Sequence, residues 1–142
     1  PAGVKILANE WSCLPSKKGR LWIGGIDDVR FGDADPARLY AGQPAGEPML
    51  VLCHNPDVLL LPRGEAFPWL LCGHTHGGQV RLPGYGAMVT SSRVGKRYES
   101  GLYEHHPGRY IYITRGLGTV HVPMRLWCPP EITCLTVLRA ED

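Results

Sequence analysis

The chain has 142 residues, 44% of them hydrophobic and 20% charged, which suits one domain with a hydrophobic core and excludes a disordered tail. A net charge of +2, without a block of Lys or Arg, gives no indication of a nucleic-acid surface. No run approaches the ~20 apolar residues of a membrane span, and no signal peptide is visible.

The cysteine pattern argues against a covalent framework. The five cysteines are odd in number and form no C-x-x-C pair, so neither disulfides nor a thiolate zinc site is predicted. Four of them lie in or beside apolar segments, and we expect buried free thiols. The cysteines are Cys13, Cys53, Cys72, Cys128 and Cys134.

The N-terminal third of the chain predicts strands and one short helix. Residues 4–8 predict a strand, residues 11–15 its partner, and residues 21–26 another strand after a turn at 16–20. Asp27 and Asp28 follow that last strand, where loops often carry function. Asp35 and Pro36 are typical of an N-cap and of the first position of a short helix.

The remaining residues predict further strands. The run over 49–53 is continuously apolar, as in a strand buried on both faces, and residues 58–61 suit a helical turn or a strand. Other predicted strands cover 69–72, 79–82, 109–114 and 131–138, with mostly loop over 83–108. We expect a β-rich α/β fold with an open or sandwiched sheet and few helices. Too few amphipathic helices are present to cover two sheet faces, and the chain starts without Met, so we expect a missing partner segment from a longer polypeptide.

Three histidines directly follow predicted strands. His54 follows one apolar strand, and His74 and His76 follow another, inside G-H-T-H-G-G. Strand ends in a common direction meet at one edge of a sheet, and imidazole is the commonest transition-metal ligand. In an extended segment, residues two apart point the same way, so His74 and His76 are expected to face one metal centre.

Structural roles compete with this interpretation. A lone histidine such as His54 is more often structural, whereas two imidazoles bracketed by glycines are poor core residues. Once that pair is accepted, His54 becomes a candidate third ligand. His105 and His106 suit a solvated loop, and His121 suits a packed or capping role.

These segments resemble the calcineurin-like metallophosphoesterases. The motifs L-C-H-N-P-D at 52–57 and L-C-G-H-T-H-G-G-Q-V-R-L-P at 71–83 carry the resemblance, and 25–28, 115–119 and 129–132 fit it. The branch that they resemble contains bacterial phosphodiesterases and diacylglucosamine pyrophosphatases. The resemblance implies a four-layer α/β sandwich and two divalent metal ions, Mn, Fe or Zn, which activate water for attack on a phosphate ester.

The resemblance also implies that the site is incomplete. By it, His54 and His74 bind one metal and His76 the other. The family's D-x-H and G-N-H-D/E motifs are absent, and Gly32-Asp33 lies too late to be its bridging G-D. We therefore expect residues 1–142 to be the C-terminal part of the domain, with the N-terminal half as its partner. That chain has no catalytic residue of its own, is inactive alone and holds at most one metal weakly, while Thr75 and Gln79 orient ligands or play structural roles.

Two other functions stay open. A single-metal hydrolase using the three histidines would need a general base, for which Asp57 or Asp27 can be proposed. A non-catalytic β domain that binds a partner would leave the histidines incidental. We also expect self-association through exposed sheet surface, and a cytoplasmic location or one at the periphery of a bacterial membrane.

Overall fold

A mixed β-sheet forms the centre of the fold. The computed structural model describes residues 3–16 and 19–138. The strands are β1 Glu10–Ser16, β2 Gly19–Gly25, β3 Met49–Leu52, β4 Trp69–Cys72, β5 Arg81–Leu82, β6 Gly86–Ala87, β7 Gly101–His106 and β8 Arg109–Ile113. Six of them form one sheet in the order β1-β2-β3-β4-β8-β7, and β5 pairs with β6 separately.

The middle of the large sheet is parallel. Strands β2, β3, β4 and β8 run in one direction, and β1 and β7 are antiparallel edge strands. Because parallel strands end at the same edge of a sheet, the chain leaves all four at one edge. The β-rich α/β class with few helices agrees with the sequence-based prediction.

The helices are few and short. Helix α1, Pro36–Ala41, begins as predicted, with the Asp35 carboxylate accepting a hydrogen bond from the Arg38 N–H at 2.9 Å. A 3₁₀ helix, Pro56–Leu60, follows β3, and a second one covers His76–Gly78. None of the helices in the described part of the chain has the length and apolar character of a membrane span.

One face of the sheet carries the hydrophobic core. Val51, Leu70 and Ile111 are aligned across β3, β4 and β8, and all three are fully buried. Phe67 packs over this layer, with its ring centroid 6.3 Å from that of Trp11 and 6.1 Å from that of Tyr40.

The opposite face of the sheet is largely open. Side chains alternate along a strand, and Leu14 and Leu52 on this face are 51% and 43% exposed. The prediction that the strand at 49–53 is buried on both faces is therefore wrong for the described residues. The apolar run over 49–53 therefore forms a strand that is buried on one face only.

Two predicted strands are not formed. Residues 4–8 are irregular, and Asn9, with φ 56°, redirects the chain before β1. Strand β1 pairs with β2 instead, and residues 17 and 18 of the predicted turn lie outside the described residues. Residues 131–138 are also irregular, with Ile132 82% exposed. In each case the apolar pattern is present but no neighbouring described strand accepts its hydrogen bonds.

The cysteines are all free thiols in this structure, but three of them are buried and not the predicted four. Cys53, Cys72 and Cys128 are buried, Cys13 is half-buried and Cys134 is exposed. Burial raises the pKa of the Cys53 thiol to about 12, so this group stays protonated. These buried thiols act as small apolar side chains.

Candidate metal centre

The carboxyl ends of three parallel strands supply polar side chains to one edge of the sheet. Asp27 and Asp28 follow β2, His54 follows β3, and His74 follows β4. Leu52 and Leu71 are aligned neighbours at the ends of β3 and β4, so the next residues of the two strands approach each other. The predicted meeting of His54 and His74 at one edge is observed.

His54 and His74 are in direct contact. The Nε2 atom of His54 lies 3.3 Å from the Nδ1 atom of His74, and their rings meet at 83° with centroids 5.2 Å apart. Burial lowers the pKa of His54, the proximity of His74 and His76 lowers it further, and Asp28 opposes these effects. The net shift favours the neutral imidazole, which is the form that binds metals.

The second ring nitrogen of His74 is bound to the backbone. Its Nε2 atom lies 3.0 Å from the carbonyl oxygen of Ser91, which can only accept, so Nε2 carries the proton. The lone pair of His74 then lies on Nδ1, facing His54. A backbone carbonyl on the outer nitrogen is the usual way in which proteins orient a metal-binding imidazole.

His76 is oriented in the same manner but separately. Its Nδ1 atom lies 3.1 Å from the carbonyl oxygen of Gly118, which leaves Nε2 with the lone pair. The expectation of an extended segment is wrong, since His74 and His76 have φ of 67° and 51° and a 3₁₀ helix begins at His76. The two imidazoles are therefore directed by the turn and not by strand alternation.

The donor set fits a metal in part. Two ligands at about 2.0–2.1 Å from one ion, at bond angles of about 90–110°, have nitrogens about 2.8–3.4 Å apart. The 3.3 Å between His54 and His74 falls in this range. Within residues 3–16 and 19–138, no three His, Cys, Asp or Glu side chains come together to hold an ion, so His76 does not join the pair.

The carboxylates suggested as general bases are engaged elsewhere. Asp27 accepts hydrogen bonds from the N–H groups of Asp28 at 2.8 Å and Asp33 at 2.9 Å, one on each oxygen. Asp57 is buried and accepts from the Ser92 hydroxyl at 2.6 Å. Neither arrangement favours activation of water. Backbone hydrogen bonds from Phe31 and Arg30 lower the pKa of Asp28, and charge on His54 and His74 lowers it further.

Thr75 and Gln79 have structural partners. The Thr75 hydroxyl donates to the carbonyl oxygen of Glu99 at 2.8 Å and accepts from the Gly77 N–H at 3.2 Å. The Gln79 amide donates to the carbonyl oxygens of Val120 at 3.0 Å and Val122 at 3.2 Å. Both side chains hold the loops around the G-H-T-H turn.

The other histidines lie apart from the pair. His105 and His106 belong to strand β7 and not to a loop, with His105 half-buried and His106 exposed. His121 is exposed, which contradicts the packed role expected as one of two alternatives and leaves the capping role untested. Strand alternation explains the difference between His105 and His106, because only one of two successive residues faces the protein.

The groups that orient the imidazoles have no local signature in the sequence. Ser91 and Gly118 act through carbonyl oxygens, which every residue type carries. Arg125, which donates to the carbonyl oxygen of Gly118 at 2.7 Å, carries no local sequence signal either. Its position in the chain, 49 residues after His76, places it beyond the reach of any local motif.

Three known proteins that this chain resembles are named as a phosphodiesterase or as metallophosphoesterases. Phosphodiesterase YaeI of Escherichia coli is 37% identical over 140 residues, which cover 96% of this chain and 48% of that protein. Metallophosphoesterase YkuE of Bacillus subtilis is 33% identical over 95% of this chain and 47% of its own length. A metallophosphoesterase of Aquifex aeolicus is 35% identical over 96% of this chain and 51% of its own length.

The matches cover only part of each relative. The chain spans about half the length of the curated relatives that it matches. No family model matches the chain. No solved structure matches it either.

Proposed function

This chain belongs to the metallophosphoesterase family, and on that premise we propose that it supplies the histidine ligands of a dinuclear centre that hydrolyses phosphodiester or pyrophosphate bonds. His54 and His74 bind one divalent ion in this proposal, and His76 binds the other. The metals are Mn, Fe or Zn, which accept mixed nitrogen and oxygen ligands.

One observation carries the proposal. The unprotonated Nδ1 atom of His74 faces Nε2 of His54 at 3.3 Å, while the outer nitrogen of His74 is fixed on the Ser91 carbonyl oxygen at 3.0 Å. Two converging nitrogens with one outer hydrogen bond form the pattern of metal-binding imidazoles.

The residues of this chain have defined tasks in the proposed reaction. When bound, divalent ions offset the negative charge of the phosphate oxygens and lower the pKa of water. His74 presents the lone pair of Nδ1 without moving, because the Ser91 carbonyl fixes its tautomer. The Gly118 carbonyl does the same for His76 and leaves its Nε2 atom free. The chain thus contributes orientation and neutral ligands, while carboxylate ligands come from elsewhere.

We further propose that an N-terminal half of the same enzyme completes both the site and the fold. The chain matches about half the length of its relatives and contains no D-x-H or G-N-H-D/E motif. The open sheet face with Leu14 and Leu52 is a suitable surface for that half to cover. In the resulting calcineurin-like four-layer α/β sandwich, both faces of the sheet would be covered.

The test is hydrolysis of bis-p-nitrophenyl phosphate with Mn²⁺ by three proteins. These are the chain alone, the longer polypeptide that carries it, and a chimera with the part of Escherichia coli YaeI that the chain does not match. We expect turnover by the longer proteins and essentially none by the chain alone. His74→Ala in an active longer protein should lower turnover by several orders of magnitude, and His106→Ala is the matched control.

Other outcomes select other functions. Turnover by the chain alone with one tightly bound metal would favour the single-metal hydrolase. Absence of metal binding in every protein would favour a non-catalytic binding domain. Normal turnover of His74→Ala with stoichiometric metal would overturn the assignment of the ligands.

A further inference from the structure

The carbonyl group that orients His74 belongs to a strained residue. Ser91 lies 17 positions after His74 and has φ of 54°, in the left-handed region that non-glycine residues seldom adopt. Such a conformation persists only where the surrounding structure holds it, and it is commonest at functional sites. Arg30 also donates to the same carbonyl oxygen.

Asp57 holds the backbone immediately after Ser91. The Oδ1 atom of Asp57 accepts from the Ser92 hydroxyl at 2.6 Å and from the Val94 N–H at 3.1 Å. Asp57 is only 5% exposed. Burial acts to raise its pKa, but hydrogen bonds from Ser92, Arg93 and Val94 outweigh burial and hold the pKa below its usual value. The ionised carboxylate therefore makes charge-assisted hydrogen bonds to this loop.

Asp57 is itself fixed close to His54. The Asp57 N–H donates to Oδ1 of Asn55 at 2.9 Å, at the start of the 3₁₀ helix Pro56–Leu60. Asn55 and Pro56 are both fully buried. One rigid segment therefore carries His54 and, three residues later, the carboxylate that anchors the loop with Ser91.

We propose that Asp57 is a positioning residue, which orients the imidazole of His74 toward His54 by holding the loop over residues 90–95 through Ser92 and Val94. The motif H-N-P-D thus contributes to the orientation of both imidazoles. It contains His54 itself, and its Asp57 acts on His74 through the loop that carries the Ser91 carbonyl. The relevance of this orientation to metal binding rests on the proposed function, whereas the orientation itself does not.

The first experiment reads the tautomer of His74 directly. Long-range ¹H–¹⁵N NMR of the metal-free chain, with histidine labelled and His74→Gln used for assignment, distinguishes protonation on Nε2 from protonation on Nδ1. We expect the wild-type chain to carry the proton on Nε2. Asp57→Ala should give a mixture of His74 tautomers. Ser92→Ala should also increase the fraction of His74 that is protonated on Nδ1.

The controls separate positioning from stability. Asp57→Asn keeps an oxygen that accepts from both donors, so it should restore the wild-type tautomer. Asp35→Ala removes another carboxylate that accepts a backbone hydrogen bond, the N-cap of α1. This substitution should lower Tm without changing the tautomer of His74. If Asp57→Ala does not fold, Ser92→Ala carries the test because it removes only a hydroxyl group.

A second experiment is titration with Co²⁺ alone, followed by its visible absorption. Loss of an outer-shell partner typically weakens metal binding by about 10–100-fold, and we expect Asp57→Ala in that range. Failure of the longer polypeptide that carries this chain to bind Co²⁺, with the tautomer effect intact, would count against the proposed function and not against positioning. A wild-type His74 spectrum in folded Asp57→Ala and Ser92→Ala would overturn the positioning role.

Discussion

The Nε2 atom of His54 and the Nδ1 atom of His74 lie 3.3 Å apart, although 20 residues separate them in the chain. The proximity follows from parallel pairing of β3 with β4, which aligns Leu52 with Leu71 and brings both strands to an end at one edge. Parallel pairing therefore brings residues from two distant motifs together as one pair of candidate metal ligands.

The first prediction concerns removal of one of these donors. His54→Ala or His74→Ala should abolish the weak binding of one Co²⁺ by the chain, because a single imidazole leaves an ion mostly solvated. The measurement is absorption titration at neutral pH. His106→Ala, which alters an exposed residue of β7, should leave the affinity unchanged. Equal affinity in His74→Ala and the wild-type chain would contradict the ligand assignment.

The second prediction concerns the core beneath the sheet. Phe67 is fully buried and contacts the rings of Trp11 and Tyr40 edge to face. Phe67→Ala should lower the free energy of unfolding by about 3–5 kcal/mol, because it removes burial and leaves a cavity. Urea unfolding measures the loss.

An exposed residue provides the control for Phe67. Leu102 in β7 faces solvent, so Leu102→Ala should change the unfolding free energy by only about 0.5 kcal/mol. If the two substitutions cost the same, Phe67 does not occupy the core described above.

The third prediction concerns acid stability. Burial acts to raise the pKa of Glu131, but hydrogen bonds from Tyr112, Thr133 and Arg115 outweigh it and lower the pKa from 4.5 to about 2. Arg115 contributes an ion pair with a nitrogen–oxygen distance of 2.5 Å. A depressed folded-state pKa stabilises the fold above pH 4.5, and this contribution is lost as pH falls from about 4.5 to about 2.

The measurement is Tm between pH 6 and pH 2.5 for the wild-type chain and Glu131→Gln. The two proteins should differ most near pH 6, and the difference should shrink as the pH falls. Glu10→Gln, in the edge strand β1, is the control. A difference that stays constant over this range would show that the carboxylate of Glu131 is not held in its ionised form.

Local sequence patterns predicted much of the sheet but not its limits. Short apolar runs between turn residues identified β2, β3, β4 and β8, and Asp35-Pro36 identified α1. The same pattern over 4–8 and 131–138 gave no strand, because a strand requires a partner at the right place and partners are set by distant residues.

For the candidate site, the sequence predicts the positions of the histidines but not the orientation of their rings. His54 and His74 follow strands, so their meeting could be inferred from topology. The orientation of each ring could not, since it depends on the left-handed backbone at His74 and His76 and on carbonyl groups of Ser91 and Gly118. A carbonyl oxygen has no signature in sequence.

Arg125 provides the basis for a fourth prediction. Its guanidinium group donates to five carbonyl oxygens from three stretches of chain, which belong to His76, Arg115, Gly116, Gly118 and Cys128. The carbonyl oxygen of Gly118 also lies 3.1 Å from Nδ1 of His76. The planar, five-donor fork of arginine therefore holds both the backbone of His76 and the group that orients its ring.

Arg125→Lys should loosen His76 while the charge is kept, because an ammonium group cannot reach carbonyl oxygens on both sides of the fork. We expect His76 to populate both tautomers in ¹H–¹⁵N NMR, and the unfolding free energy to fall by roughly 1–3 kcal/mol from carbonyl groups left without a donor. His74 should keep its tautomer, since the Ser91 carbonyl orients it independently. Arg38→Lys on α1, where the side chain is exposed, should change neither histidine. If Arg125→Lys destabilises the chain but His76 keeps a single tautomer, Arg125 stabilises the loops without orienting the ring.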